Sequence, residues 1–162
     1  MVSPQSMQPA SAERRLQELG IELPPVPIPF GAYVEGVRTG DLLYLSGMLP
    51  VVGHEPKFVG RLGREFDVEQ GRDATRIAAL NVLSAVRAAL GSLDKVRKVV
   101  KVSVYLATEP DFFAHPKVAD AASELFRDVF GDDKLSVRVV IGVASLPLGM
   151  PVEVEVLFEV EP

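Results

Sequence analysis

The chain contains no cysteine, only two histidines, and 17 lysines and arginines against 22 aspartates and glutamates. Without cysteine there is no disulfide, no thiolate nucleophile and no thiolate metal site, and the composition is that expected of a cytoplasmic protein. His54 and His115 alone make a poor metal site and leave almost no material for a Ser-His-Asp triad; each is expected at the surface. The net charge of −5 provides no basic face that could neutralise a phosphate backbone. Lys95, Arg97, Lys98 and Lys101 form the one basic cluster, next to or within a predicted strand, and read as a solvated edge. No apolar run reaches the ~18 residues that span a bilayer, and the first residues lack the charged-then-apolar order of a signal peptide. There is no Walker loop and no G-x-G-x-x-G.

What is present is a chain of 162 residues with 48% apolar content, enough for one real core and high enough to suggest a further buried surface between subunits. Residues 1–10 (MVSPQSMQPA) read as a disordered tail. Ser11 to Leu19 reads as a short helix capped by Ser11 and stopped by Gly20, and Pro24, Pro25, Pro27 and Pro29 make an extended arm across the body. Tyr33 to Arg38 and Leu42 to Ser46 are predicted strands joined by a tight Thr39-Gly40-Asp41 turn, and Pro50 to Arg64 is predicted as a loop. Asp67 is a good cap for a helix from Val68 to Leu90, with Gly91 as its stop. A valine-rich strand follows from Val96 to Ala107, then a helix within Phe112 to Phe130 whose regular part starts at His115-Pro116, then strands Leu135 to Ser145 and Pro151 to Glu161.

The order ββαβαββ predicts an α+β fold, one sheet with both helices on one face. Residues 1–30 form the tail, helix and arm, and 31–162 a single domain. Val99, Val100, Val102, Val104 and Leu106 look apolar on both sides of the pleat, and Val137, Val139, Ile141 and Val143 share a side. A sheet with helices on one face only should not be apolar on both, so self-association is expected to cover the other.

Arg138 stands alone in the apolar run that ends the chain's penultimate strand. Burying such a cation costs several kcal/mol unless an anion meets it. The anion is either Glu153 or Glu155 from the returning strand, or a ligand carboxylate, which a guanidinium grips in a two-pronged bond. Glu153, Glu155 and Glu159 share one face of the last strand. Glu153, nearest the Leu146-Pro147 corner, can position a water or move a proton. Tyr33 supplies a ring and a hydroxyl, and Ser46-Gly47 ends a strand where backbone can come close to a ligand.

These segments resemble the reactive intermediate deaminase (YjgF) family, whose members are often labelled perchloric-acid-soluble endoribonucleases. Gly31-Ala32-Tyr33-Val34-Glu35-Gly36-Val37 resembles the family's G-P-Y-x-x-x-V, and Ser46-Gly47-Met48-Leu49-Pro50 its S-G-Q-x-P. Arg138, then Val143-Ala144-Ser145-Leu146-Pro147, then Val152-Glu153-Val154-Glu155 resemble its arginine, V-A-x-L-P and V-E-x-E signature. The N-terminal helix and arm resemble those of a longer-armed branch.

The resemblance implies a fold like trimeric chorismate mutase, a cytoplasmic homotrimer with clefts between subunits, and no cofactor or metal. It implies that Arg138 anchors the carboxylate of a 2-imino or 2-amino-enoic acid, Glu153 orients the attacking water, Tyr33 packs beside the substrate, and Ser46 and Gly47 shape the pocket. A family asparagine on the second long helix aligns with Asp120, where the extra charge would repel a carboxylate. Val139, Val140 and Gly142 depart from the family pattern beside the arginine. The implied activity is deamination of a small imino acid to a keto acid and ammonia. A non-catalytic trimer binding a small carboxylate or a protein is the alternative, and endoribonuclease activity the third.

Overall fold

The computed structural model describes residues 11–162, so the predicted N-terminal tail lies outside the described residues. A short helix α1 (Ala12–Glu18) is followed by the proline arm and a hairpin of β1 (Gly36–Thr39) and β2 (Leu42–Leu45). A small ribbon, β3 (Val51–Val52) and β4 (Glu55–Pro56), precedes the long helix α2 (Val68–Leu90). Strand β5 (Val96–Ala107), helix α3 (His115–Phe130), β6 (Val137–Val143) and β7 (Val152–Val160) complete the chain.

Local sequence explains the element ends. Asp67 and Gln70 form a reciprocal capping box on α2, and Gly91 closes it at φ 81°. Pro116 lies in the first turn of α3, where its missing N–H costs nothing. Gly40, at φ 57°, turns the two-residue β1–β2 hairpin.

The five main strands lie in the order β1-β2-β7-β5-β6, with β5 and β6 parallel and the other neighbours antiparallel. The parallel pair is possible because α3 carries the chain back across the sheet. Both long helices cover one face, burying Val82, Leu83, Val86, Leu125 and Val129 against Val102, Val104, Leu106, Val154, Val156 and Phe158. Phe158 meets the edges of Phe126 and Phe130 at 6.3 and 6.1 Å between centroids. Truncating it would cost about 3–5 kcal/mol.

The arm is extended as its prolines require. Ser84 of α2 donates to the Pro24 carbonyl at 2.7 Å, which seats the arm on that helix. Glu13 of α1 accepts from Arg87 at 2.5 Å and from the Leu93 amide at 2.9 Å, tying α1 to the end of α2.

Three expectations are corrected. The first strand begins at Gly36, and Tyr33 lies in the bend before it. The segment read as a loop contains the β3–β4 ribbon, too short to leave a periodic signal. Strand β5 is not apolar on both faces. Its pairing with β7 shifts between Val96 and Lys98 and again between Val99 and Lys101. Each shift adds a residue, so Val96, Val99 and Val102, spaced by three, all point into the helix-covered core. The uncovered face of β5 carries Lys101, Ser103 and Tyr105. On β6 the reading holds: Val137, Val139 and Ile141 lie on that uncovered face, 69%, 39% and 45% exposed.

Candidate active site

Where β2 ends, Ser46 and Gly47 cross above β7, and Met48 rejoins it through a bridge to Val154. This opens a cleft of about 440 Å³ lined by Phe30, Tyr33, Ser46, Gly47, Leu49, Pro147 and Glu153. Four of the residues marked in the sequence (Tyr33, Ser46, Gly47 and Glu153) therefore meet in one place. Gly47 leaves room for the Glu153 carboxylate, which a Cβ at this position would displace from its present place. The Ser46 hydroxyl donates to the Val34 carbonyl at 2.6 Å, so its role is to hold the strand exit. Tyr33 Oη accepts the Phe30 amide at 3.1 Å and keeps its own proton to donate.

Among the described residues Glu153 is the one carboxylate that lines the cleft. Burial pushes its pKa above the usual carboxylate range, and repulsion from Glu155 adds to the shift. Between Ile141 of β6 and Glu153 of β7 on the uncovered face, the Tyr105 hydroxyl donates to Glu155 at 3.3 Å. Burial, then the Glu155 charge and its hydrogen bond, raise the Tyr105 pKa, so the phenol stays protonated.

Arg138 is elsewhere. Strand register places it opposite Val102, on the helix-covered face, whereas Glu153 lies opposite Tyr105 on the uncovered one. The pair with Glu153 or Glu155 considered from the sequence is therefore not made. Instead Nη1 donates to Asp120 Oδ1 at 2.8 Å and to Ser123 Oγ at 3.1 Å, both from α3. Asp120 and Ser123 are one helical turn apart and so share the face that looks at β6. Among the described residues Nη2 and Nε of Arg138 have no hydrogen-bond partner.

One chain thus holds two separate groups, a cleft with Glu153 and an edge-strand guanidinium with Asp120. Among the described residues no three histidine, aspartate or glutamate side chains could hold a metal ion, and no helix is long and apolar enough to cross a membrane. Sequence reasoning missed Phe30, Leu49, Pro147 and Ser123. The signal for Phe30 was its place at the end of the arm, three residues before Tyr33. His115 opens α3, with Nε2 set where a Cβ on Gly142 would come within 2.7 Å. His54 stacks on Phe30.

A sequence model of the family described as YjgF/chorismate mutase-like, putative endoribonuclease, matches residues 13–160. Protein TCP17 of Trypanosoma cruzi is 42% identical over 145 residues, covering 89% of this chain and 91% of that protein. A 2-iminobutanoate/2-iminopropanoate deaminase of Dermatophagoides farinae is 31% identical, over 87% of this chain and 95% of its own length. The crystal structure of a protein of unknown function from Agrobacterium tumefaciens superposes with a TM-score of 0.85 at 36% identity, over 93% of this chain and 92% of that one. The match takes in α1 and the arm as well as the strands that carry Arg138 and Glu153, and on it this chain belongs to the YjgF/chorismate mutase-like family.

Proposed function

We propose that this protein hydrolyses small 2-imino acids to 2-keto acids and ammonia, in clefts completed by a second copy of the chain within a homotrimer. The observation that carries the reading is the separation of Glu153 and Arg138 on opposite faces of one sheet. Neither alone makes a carboxylate-binding hydrolytic site. Arg138 lies on the edge strand β6, next to the exposed apolar row of Val137, Val139 and Ile141. Burying that row against a neighbour would set the β6 edge, and Arg138 with it, at a subunit boundary, which supports placing it beside the neighbour's Glu153 cleft.

In this arrangement Arg138 uses Nη2 and Nε to grip the substrate carboxylate while Asp120 and Ser123 hold Nη1. Asp120 then orients the guanidinium, and its charge is already spent on Nη1. Glu153, as the carboxylate, accepts a proton from water as the oxygen bonds to the imine carbon. As the acid, it returns that proton to the nitrogen, then carries the second proton from the new hydroxyl to the same nitrogen; the carbon–nitrogen bond breaks and ammonia leaves a keto group. A pKa raised above the usual carboxylate range suits a group that must both take and give a proton. Fixing the carboxylate beside the water supplies most of the acceleration. The 31% identical deaminase supports the substrate class.

The test couples a pyridoxal-phosphate dehydratase, which generates 2-aminoacrylate, to detection of the keto acid. Keto-acid release no faster than in buffer rejects the activity. Equal rates for wild type and Arg138→Ala reject the anchor. The ion pair of Arg138 with Asp120 favours a second reading, a trimer that binds a small carboxylate without turning it over; calorimetric binding of 2-ketobutyrate with no hydrolysis would support it. Endoribonuclease activity stands third, since the net charge of −5 offers RNA no basic face. Its test is cleavage of RNA by the purified protein, with loss in Glu153→Gln.

A further inference from the structure

The proposed chemistry uses the polar side of the cleft and leaves its apolar wall without a role. That wall comes from three separate parts of the chain: Phe30 at the end of the arm, Leu49 after β2, and Pro147 between β6 and β7. Its parts are held firmly. The Phe30 ring stacks on His54 with centroids 4.2 Å apart and planes 13° apart. His54 sits in the turn of the β3–β4 ribbon at φ 71°, a conformation costly for a residue with a Cβ and kept only where its surroundings impose it. Asn81, buried in α2, donates to the carbonyls of Leu49 and Val51 at 3.0 Å each. One helix therefore pins both Leu49 and the ribbon that backs Phe30. The hydrogen bond from the Phe30 amide to Tyr33 Oη joins the wall to the polar side.

A wall built in advance loses little entropy when a ligand packs on it. A three-carbon acid, gripped at its carboxylate and attacked at its second carbon, has only a methyl group to offer this wall. The cleft, at about 440 Å³, is in the range of sites that hold far larger ligands. We propose that Phe30, backed by His54, makes the cleft selective for 2-imino acids with a branched aliphatic or aromatic side chain over the three-carbon imine. This rests on the imine-hydrolase reading and names its substrate class. The reaction is the same for each: one water is consumed, one ammonia is released, and no oxidant is needed.

Two measurements on the full-length protein decide it. In the first, an L-amino-acid oxidase makes imines in place from alanine, leucine and phenylalanine, and their hydrolysis is followed as keto acid. The wild type should favour the leucine- and phenylalanine-derived imines by at least about tenfold in kcat/KM, since each methylene in an apolar pocket is worth about that factor. Phe30→Ala should shrink the ratio by about tenfold.

The second measurement uses Phe30→Trp, which keeps an aromatic wall and gives the chain its sole tryptophan. Its emission should respond to 4-methyl-2-oxopentanoate at concentrations about tenfold below those needed for pyruvate. If no imine is hydrolysed, the enzymatic reading fails by itself and this titration decides the selectivity. Equal affinity for the two keto acids, or a substrate ratio unmoved in Phe30→Ala, overturns the proposal.

Discussion

The proposed cleft between subunits makes a quantitative prediction about mixtures of variants. Arg138→Ala removes the anchor and leaves Glu153; Glu153→Gln removes the proton carrier and leaves Arg138. Each variant alone should lose about a hundredfold or more in keto-acid release from 2-aminoacrylate. In the proposed ring every cleft would take Glu153 from one copy and Arg138 from the next. When the variants are mixed in equal amounts and allowed to exchange subunits, each cleft receives an intact glutamate half the time and an intact arginine, independently, half the time. About one quarter of the clefts then carry both, so the mixture should recover about one quarter of the wild-type rate. The assay is the coupled one, run after exchange has been verified by mass-tagged subunits. Activity that stays at the level of the single variants after exchange would show that the two residues do not act across an interface. The oligomer size alone could not decide this, because a trimer with self-contained sites would also remain inactive on mixing.

Because the folded-state pKa of Glu153 is raised, its neutral form fits the fold better; its stabilising contribution is full below the ordinary carboxylate pKa and is lost as pH rises through the raised value. Glu153→Gln should therefore raise the Tm near pH 7 and leave it nearly unchanged near pH 4, and a gain of the same size at both pH values would contradict this. Burial pushes the Glu13 carboxyl up, but its bonds from Arg87 and the Leu93 amide outweigh that and hold it below the usual range. Its contribution is present above the ordinary value and fades as pH falls through the lowered one, so Glu13→Gln should cost about 1–3 kcal/mol in urea unfolding near neutrality and less in acid. In Gly142→Ala the new methyl would come within 2.7 Å of His115 Nε2 and 3.1 Å of Thr108 Oγ1. A loss of about 1 kcal/mol is expected, recovered in the double variant with His115→Ala, and additive losses would refute the contact.

The helices and strand β5 were legible because their signals are local. Asp67, Gly91 and the apolar stripe between them bound α2 at the residues observed, and the valine run bounds β5. Alternation correctly placed Glu153 with Glu155, and Val137 with Val139 and Ile141. It could not place one strand's faces relative to another's. That depends on register, and register put Arg138 on the face opposite Glu153 and beside Asp120 of α3, the helix that precedes β6. The resemblance had singled out Asp120 as an obstacle to a carboxylate; the geometry makes it the partner that holds Arg138. Phe30 was assigned to the arm because prolines surround it, and its contact with His54 joins segments that have no sequence periodicity in common.

The parallel pair of β5 and β6 is also tied together where both strands end. Arg61, from the segment before α2, pairs with Glu109 at 3.0 Å and donates to the backbone carbonyls of Thr108 and Ala144, just past the ends of β5 and β6. The edge strand that bears Arg138 is thereby riveted at its exit to its inner neighbour. An outward pull on that margin, such as a departing subunit would exert, is resisted at one end and must begin to peel from the other, where Val137 enters.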